Sequence, residues 1–193
     1  MLFRSYQTAW LKTHYTAEFM SANLTSEMNN TDRVVVLINE CRKLNIEMSA
    51  PDINESGVNF YPSSSSKISF GLNAIKNVGI KALEGIVEER KINGKFLNIF
   101  DFISRVDQRL VNKKVLESLI ESGSFDSLHK NRAQLFESVD IIISYGQQSG
   151  KNLNSEQFGI FDQVEEGIVK TPDLPNINDW EDSEKFSREK LVL

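Results

Sequence analysis

Residues 70–90 read FGLNAIKNVGIKALEGIVEER. Leu72, Ile75 and Val78 recur at helical spacing up to Gly79, and Leu83, Ile86, Val87 and Arg90 resume the period beyond it. The spacing predicts two helices meeting at a tight turn. Within Lys76-Asn77-Val78-Gly79-Ile80-Lys81, Val78 is an apolar plug for the space between the helices, and Gly79 is expected to take φ > 0. Such a turn leaves the first N–H groups of the second helix unpaired and turned outward, which makes an anion site. Lys76 and Lys81 bracket it with positive charge.

This arrangement resembles a helix-hairpin-helix, a module that grips the DNA phosphate backbone without reading sequence. The usual hairpin has glycine on both sides of its plug; here the first is Asn77, and asparagine tolerates the left-handed region better than most residues. The same residues also suit an ordinary helix–helix corner. The net charge of −5 argues at first against nucleic acid, but its distribution does not. Residues 67–114 hold ten Lys/Arg against five Asp/Glu, a net of +5, whereas residues 1–66 carry −2 and residues 115–193 carry −8. The basic excess surrounds the hairpin, where a phosphate-binding surface needs it.

The rest of the composition sets the frame. With 40% apolar residues among 193, the chain can bury a core, as one domain or two small ones. It has no apolar run of about 18 residues that would span a membrane. A single cysteine excludes a disulfide framework and fits a reducing compartment. The start, MLFRSYQTAW, lacks the features of a signal peptide and reads as a helix cut from a longer protein.

In chain order, residues 4–24 read as two short helices broken near Thr13–Thr16, with Trp10, Tyr15, Phe19 and Met20 in the core. Thr31 is the expected N-cap of a helix to Leu44, whose inner face carries Val34, Leu37, Ile38, Cys41 and Leu44. Cys41 there is a small hydrophobe rather than a nucleophile. Ile46–Met48 reads as a short strand, and Val58–Tyr61 pairs with Lys67–Phe70 around a serine-rich tip. Asn93-Gly94 stops the second hairpin helix. Helices follow over 98–106, over 113–121 with Asn112 as cap and Gly123 as stop, and over 132–146. From Gly146 the sequence GQQSGKNLNSEQ is a linker by content, and a last helix begins near Asp179 with Trp180, Phe186 and Leu191 as its apolar residues and no cap at its end. The expected fold is mainly α: a helical bundle with a small β-hairpin and a SAM-like helix-hairpin-helix domain.

The blocks SYQTAWLKTHYTAEFM, NTDRVVVLINECRKLNIE, PDINESGVNF, FGLNAIKNVG and RLVNKKVLESLIESGSFDSL, in this order and spacing, resemble the alpha subunits of bacterial DNA polymerase III, the C-family replicative polymerases. Thr16 stands where that family usually has proline, and threonine can cap the same helix end. The resemblance implies a segment of a DNA-directed DNA polymerase, a cytoplasmic nucleotidyltransferase of DNA replication. Residues 1–50 would end the fingers, 51–146 would form the β-hairpin and the DNA-binding helix-hairpin-helix, 147–178 a linker, and 179–193 the start of a following segment. The palm carboxylates that hold magnesium match nothing here, so no catalytic residue, metal ligand or cofactor is expected in this segment. Two scattered histidines and one cysteine agree, since they form no zinc set and no nucleophilic triad.

Gln157-Phe158-Gly159-Ile160-Phe161 looks like the sliding-clamp-binding pentapeptide of that family, with Gln157, Ile160 and Phe161 as its anchors. Burying Ile160 and Phe161 in a partner is worth about 1.5–3 kcal/mol each, and the Gln157 amide can donate and accept on a pocket rim. The alternative is that Phe158 and Phe161 fold back on the preceding helix. The expected partners are duplex DNA through Lys76, Asn77, Val78, Gly79 and Lys81, the sliding clamp, and the remainder of the polymerase holoenzyme, with no membrane contact. The competing function is a protein–protein docking module whose hairpin has lost DNA contact. The chain alone is expected to incorporate no nucleotide on a primed template with magnesium, since it offers no carboxylate pair for two metal ions. Template-dependent extension by a pure sample overturns this.

Overall fold

The computed structural model describes residues 2–154 and 171–193. Helix α1 (Leu2–His14) and helix α2 (Thr16–Ser26) break at Tyr15, and α3 (Thr31–Lys43) follows. The middle helix is the buried one, through Ala17, Met20 and Leu24. Trp10 and Tyr15, expected in the core, are instead 42% and 49% exposed. α1 packs on α2 and reaches α3 through the Lys12–Glu40 ion pair, which leaves its outer face uncovered. Trp10 therefore stacks locally, against His14 at 4.7 Å and Tyr15 at 5.6 Å. The cap of α3 is Asn30 rather than Thr31: its side chain accepts the Arg33 N–H at 3.2 Å from an extended backbone. Cys41 is fully buried on this helix, and burial pushes its thiol pKa up, away from reactivity.

Strands β1 (Glu47–Met48), β2 (Tyr61–Ser64) and β3 (Lys67–Ser69) form one sheet in the order β1-β3-β2, with β1 parallel and β2 antiparallel to β3. The hairpin is shifted from its sequence expectation. β2 starts at Tyr61 and takes in Pro62, so that only Ser65 and Ser66 remain at the tip and Val58 precedes the strand. Pro62 is tolerated because β2 is an edge strand, and the register is irregular between Pro62 and Ser64.

The segment Leu72–Val78, expected as a helix, is a single 3-10 turn (Leu72–Ala74) followed by extended backbone at Ile75. Its apolar residues are buried as the spacing requires, but seven residues with two asparagines are too few to nucleate an α-helix. Helices α4 (Ile80–Asn93), α5 (Ile99–Arg105) and α6 (Lys113–Glu121) follow. Gly94 stops α4 at φ 82°, and Asn98 and Asn112 cap α5 and α6. Phe96, Phe102 and Phe125 meet edge to face, with centroids 5.0 and 4.9 Å apart, and form the centre of this half of the core.

The expected helix over 132–146 is two helices, α7 (Arg132–Glu137) and α8 (Val139–Asn154), broken at Ser138. The Ser138 hydroxyl donates back to the Gln134 carbonyl at 2.6 Å, a bond that competes with helical pairing. α8 runs on to Asn154, so residues 147–154 of the expected linker are helical, and Gly146 is buried beside α5. A Cβ there would lie 2.9 Å from Ile103 Cγ1. Beyond residue 170 the chain lies against α7: Asn131 Nδ2 donates to the Ile177 carbonyl at 2.6 Å, Gln134 Nε2 to that of Pro175 at 2.7 Å, and Trp180 meets Phe136 at 5.4 Å. Helix α9 (Asp182–Val192) packs on α6. Asp179 lies outside it and accepts from the Ala133 and Trp180 N–H groups and from Lys185; burial opposes its charge, but these donors hold its pKa below the ordinary value. The buried residue of α9 is Val192, while Phe186 and Leu191, two of the apolar residues named for this helix, are each 68% exposed.

Gly123 sits at φ 79°, and a Cβ there would strike the Arg132 guanidinium. Gly123→Ala is expected to cost about 2 kcal/mol or more from left-handed strain and this clash, read as a lower midpoint in urea at unchanged slope.

Candidate nucleic-acid interface

The hairpin of residues 76–81 differs in one essential from its sequence expectation. Asn77 is the left-handed residue, at φ 66°, while Gly79 is extended at φ −74°, ψ 143°. The chain thus reverses before the Val78 plug rather than after it. Val78 is buried as expected, at 7% exposure. Asparagine holds this conformation because its amide is anchored: Asn77 Nδ2 donates to Ser118 Oγ of α6 at 3.1 Å.

Gly79 is the N-cap of α4, and no side chain caps it. Its carbonyl accepts the Ala82 and Leu83 N–H groups. The N–H groups of Gly79, Ile80 and Lys81 have no hydrogen-bond partner among the described residues, and all three residues are exposed. No heavy atom lies within 4 Å of where a Gly79 Cβ would stand. The missing side chain therefore serves neither backbone strain nor packing inside the protein; it leaves the donors open to an approaching group. The positive end of the α4 dipole points the same way.

The two bracketing lysines part company. Lys81 is exposed and makes no ion pair among the described residues. Lys76 is engaged: its N–H donates to the Val192 carbonyl at 2.8 Å and its ammonium to the Leu191 carbonyl at 3.2 Å. The last turn of α9, uncapped in the sequence reading, takes its cap from a residue 115 positions away. Sequence spacing missed Ser118, Leu191 and Val192 as hairpin partners because none lies near the hairpin in the chain.

The basic excess around the hairpin is mostly paired. Lys67 meets Glu47, Lys95 meets Glu55, Arg105 meets Glu89 and Asp101, Arg109 meets Asp107, and Lys113 meets Asp140. The Arg105 hydrogen bond holds the Glu89 carboxyl below its ordinary pKa. Arg90 is half-buried and donates to the Ile53 and Ser56 carbonyls at 2.6 and 2.9 Å, with burial lowering its pKa.

Gln157, Ile160 and Phe161 lie outside the described residues. Among the described residues no three His, Cys, Asp or Glu side chains gather to hold a metal, and no helix is long and apolar enough to cross a membrane. His129 is held by Gln134 at 2.7 Å.

Comparison with known proteins places these observations in context. Residues 45–135 match the family of the helix-hairpin-helix motif. The chain is 44% identical over 191 residues to DNA polymerase III subunit alpha of Neisseria meningitidis, covering 98% of this chain and 16% of the relative. It is 41% identical to that of Borreliella burgdorferi over 98% of this chain and 17% of the relative. Against that of Caulobacter vibrioides it is 40% identical over 82% of this chain and 14% of the relative.

The Asn77 geometry yields a graded expectation. Asn77→Gly keeps the left-handed backbone and loses only the Ser118 bond, for about 1 kcal/mol. Asn77→Ala loses the bond and adds backbone strain, and should cost about 1 kcal/mol more. Equal midpoints for the two variants in thermal melts would contradict the assigned backbone.

Proposed function

The chain belongs to the DNA polymerase III alpha-subunit family, of whose members it spans about 16% of the length, and we propose that it binds duplex DNA without reading sequence and tethers a replicative polymerase to its sliding clamp. The observation that carries the DNA reading is the open, uncapped start of α4. A phosphate oxygen seated there would accept from the N–H groups of Gly79, Ile80 and Lys81, with the Lys81 ammonium adding charge. Asn77 and Val78 hold this turn in shape. One hairpin engages only one or two phosphates, so the affinity is weak and its salt dependence shallow, about one unit of slope per phosphate engaged. The surrounding ion pairs are largely exposed and weak, and leave a general positive field for steering.

Gln157, Ile160 and Phe161 supply the clamp contact, an extended peptide with Phe161 as the largest apolar anchor. DNA and clamp contacts on one chain raise each other's effective concentration. In this reading nucleotide transfer and its magnesium ions belong to the polymerase palm outside this chain, the other partner is the remaining holoenzyme, and the setting is cytoplasmic. A docking module that does not touch DNA is the second reading. It draws on Ile80, an apolar side chain 49% exposed at the hairpin tip, and on the engagement of Lys76 by α9.

Anisotropy with a random-sequence duplex, titrated against salt, separates the two. The parent should bind at low salt, and Lys81→Ala should lower the slope of log K against log salt by about one unit. No binding at low salt favours docking. For the clamp, calorimetry should give a micromolar-order affinity, a loss of about 2 kcal/mol for Phe161→Ala, and no measurable binding for Ile160→Ala/Phe161→Ala with an unchanged helix signal. Unchanged affinity in the double variant refutes the motif. Loss of binding together with helix signal assigns these residues to the core.

A further inference from the structure

Lys76 and Asn77 bind the hairpin to two different helices at consecutive positions. The Lys76 N–H and ammonium hold the Val192 and Leu191 carbonyls of α9, at 2.8 and 3.2 Å. The Asn77 amide holds Ser118 of α6, at 3.1 Å. α6 and α9 pack on each other. Two residues after Asn77 the open donors of Gly79–Lys81 begin, and no side chain of their own fixes them. Their aim is therefore inherited from residues 76–78, and through these from the docked position of α9.

α9 is in turn held by a set of charge contacts through Arg188 and Glu189, ahead of its terminal carbonyls. Arg188 pairs with Glu121 at 3.2 Å and with Glu184 at 2.9 Å, and its guanidinium lies 4.0 Å from the Trp180 ring centroid and 4.9 Å from that of Phe136. Arg132 reaches Glu189 at 2.6 Å. This caged Arg188 is not available to a phosphate.

We propose that α9 is a working part of the phosphate site, with Lys76 a positioning residue that transmits its docking to the Gly79–Lys81 donors rather than a phosphate ligand. This rests on the reading that the hairpin binds duplex DNA. Donors held in place before binding need no ordering when the phosphate arrives. Docking of α9 and phosphate affinity are then linked, and the linkage runs both ways: a docked α9 tightens DNA binding, and bound DNA tightens α9.

The test uses the full chain, a fluorescein-labelled random-sequence duplex titrated against salt, and hydrogen exchange of residues 182–193 with and without duplex. Lys81→Ala should lower the salt slope by about one unit. Lys76→Ala and Arg188→Met should keep the parent slope while weakening binding about fivefold, the size of one net hydrogen bond, and should speed exchange in α9 without DNA. In the parent, duplex should slow that exchange. Circular dichroism of each variant checks that the remaining helices persist. A slope for Lys76→Ala that falls like that of Lys81→Ala makes Lys76 a phosphate contact and overturns the inference. So does α9 exchange indifferent to saturating duplex. A parent that binds no duplex overturns the DNA reading itself, and the exchange of α9 in Lys76→Ala then shows whether the hairpin and α9 are coupled at all.

Discussion

Arg132 is 9% exposed, and a guanidinium that far from water is tolerated only if it is fully paired. Its Nε and Nη2 donate to the two Asp126 oxygens at 2.7 and 2.6 Å, and its Nη1 to Glu189 at 2.6 Å. Burial alone would lower its pKa; the two carboxylates overcome that and raise it. One side chain thus ties the loop after α6, the start of α7 and the middle of α9. The same requirement explains Gly123, since any side chain there would meet the guanidinium. Removing one carboxylate would leave a buried charge short of a partner, which typically costs about 3–5 kcal/mol. The position of α9, and with it the cap that Lys76 gives it, depends on this node.

Around the hairpin the charge is arranged differently. Arg105 sits over the Phe96 ring at 4.5 Å and donates to Glu89, Asp101 and the Gly94 carbonyl, so it closes the end of α4 rather than presenting charge. Arg90 does the same for the Ile53–Ser56 loop. What remains at the start of α4 is one unpaired lysine beside three open N–H groups. The +5 of the surrounding segment therefore resolves into a focal site within a weak general field.

Elements whose signals are local were legible in the sequence. Asn112 caps its helix, Gly94 and Gly123 stop theirs, and the α4 period of Leu83 and Ile86 points inward. The hairpin was found for the right reason, an apolar plug between polar turn residues, but its left-handed residue was misplaced. Which side of Val78 carries the reversal depends on Ser118, 41 residues away, which rewards an amide at position 77. The Ser138 break was hidden for a related reason: the apolar period continues through Leu135, Val139 and Ile142, and only the serine hydroxyl betrays the kink. Trp10 and Tyr15 misled because large aromatics read as core wherever they occur, while burial depends on what lies opposite. At the candidate site the burial of Val78 was legible; the extended backbone of Gly79 was not, nor was the diversion of Lys76, whose acceptors belong to the last helix. The family was legible from five ordered blocks, which no composition or charge argument could replace.

The separation of 115 residues between Lys76 and Leu191 also has a bearing on biogenesis. A chain that emerges from the ribosome amino end first can complete the sheet and the α3 cap from partners that are already outside. The hairpin cannot. Its Lys76 donors stay bound to water until α9 has been synthesised, has formed, and has found the Arg132 node. Closing so long a separation is slow relative to local pairing. The turn before α4 is therefore among the last features to be fixed, and a nascent chain that has made α4 but not α9 would hold the open N–H groups of Gly79–Lys81 loosely.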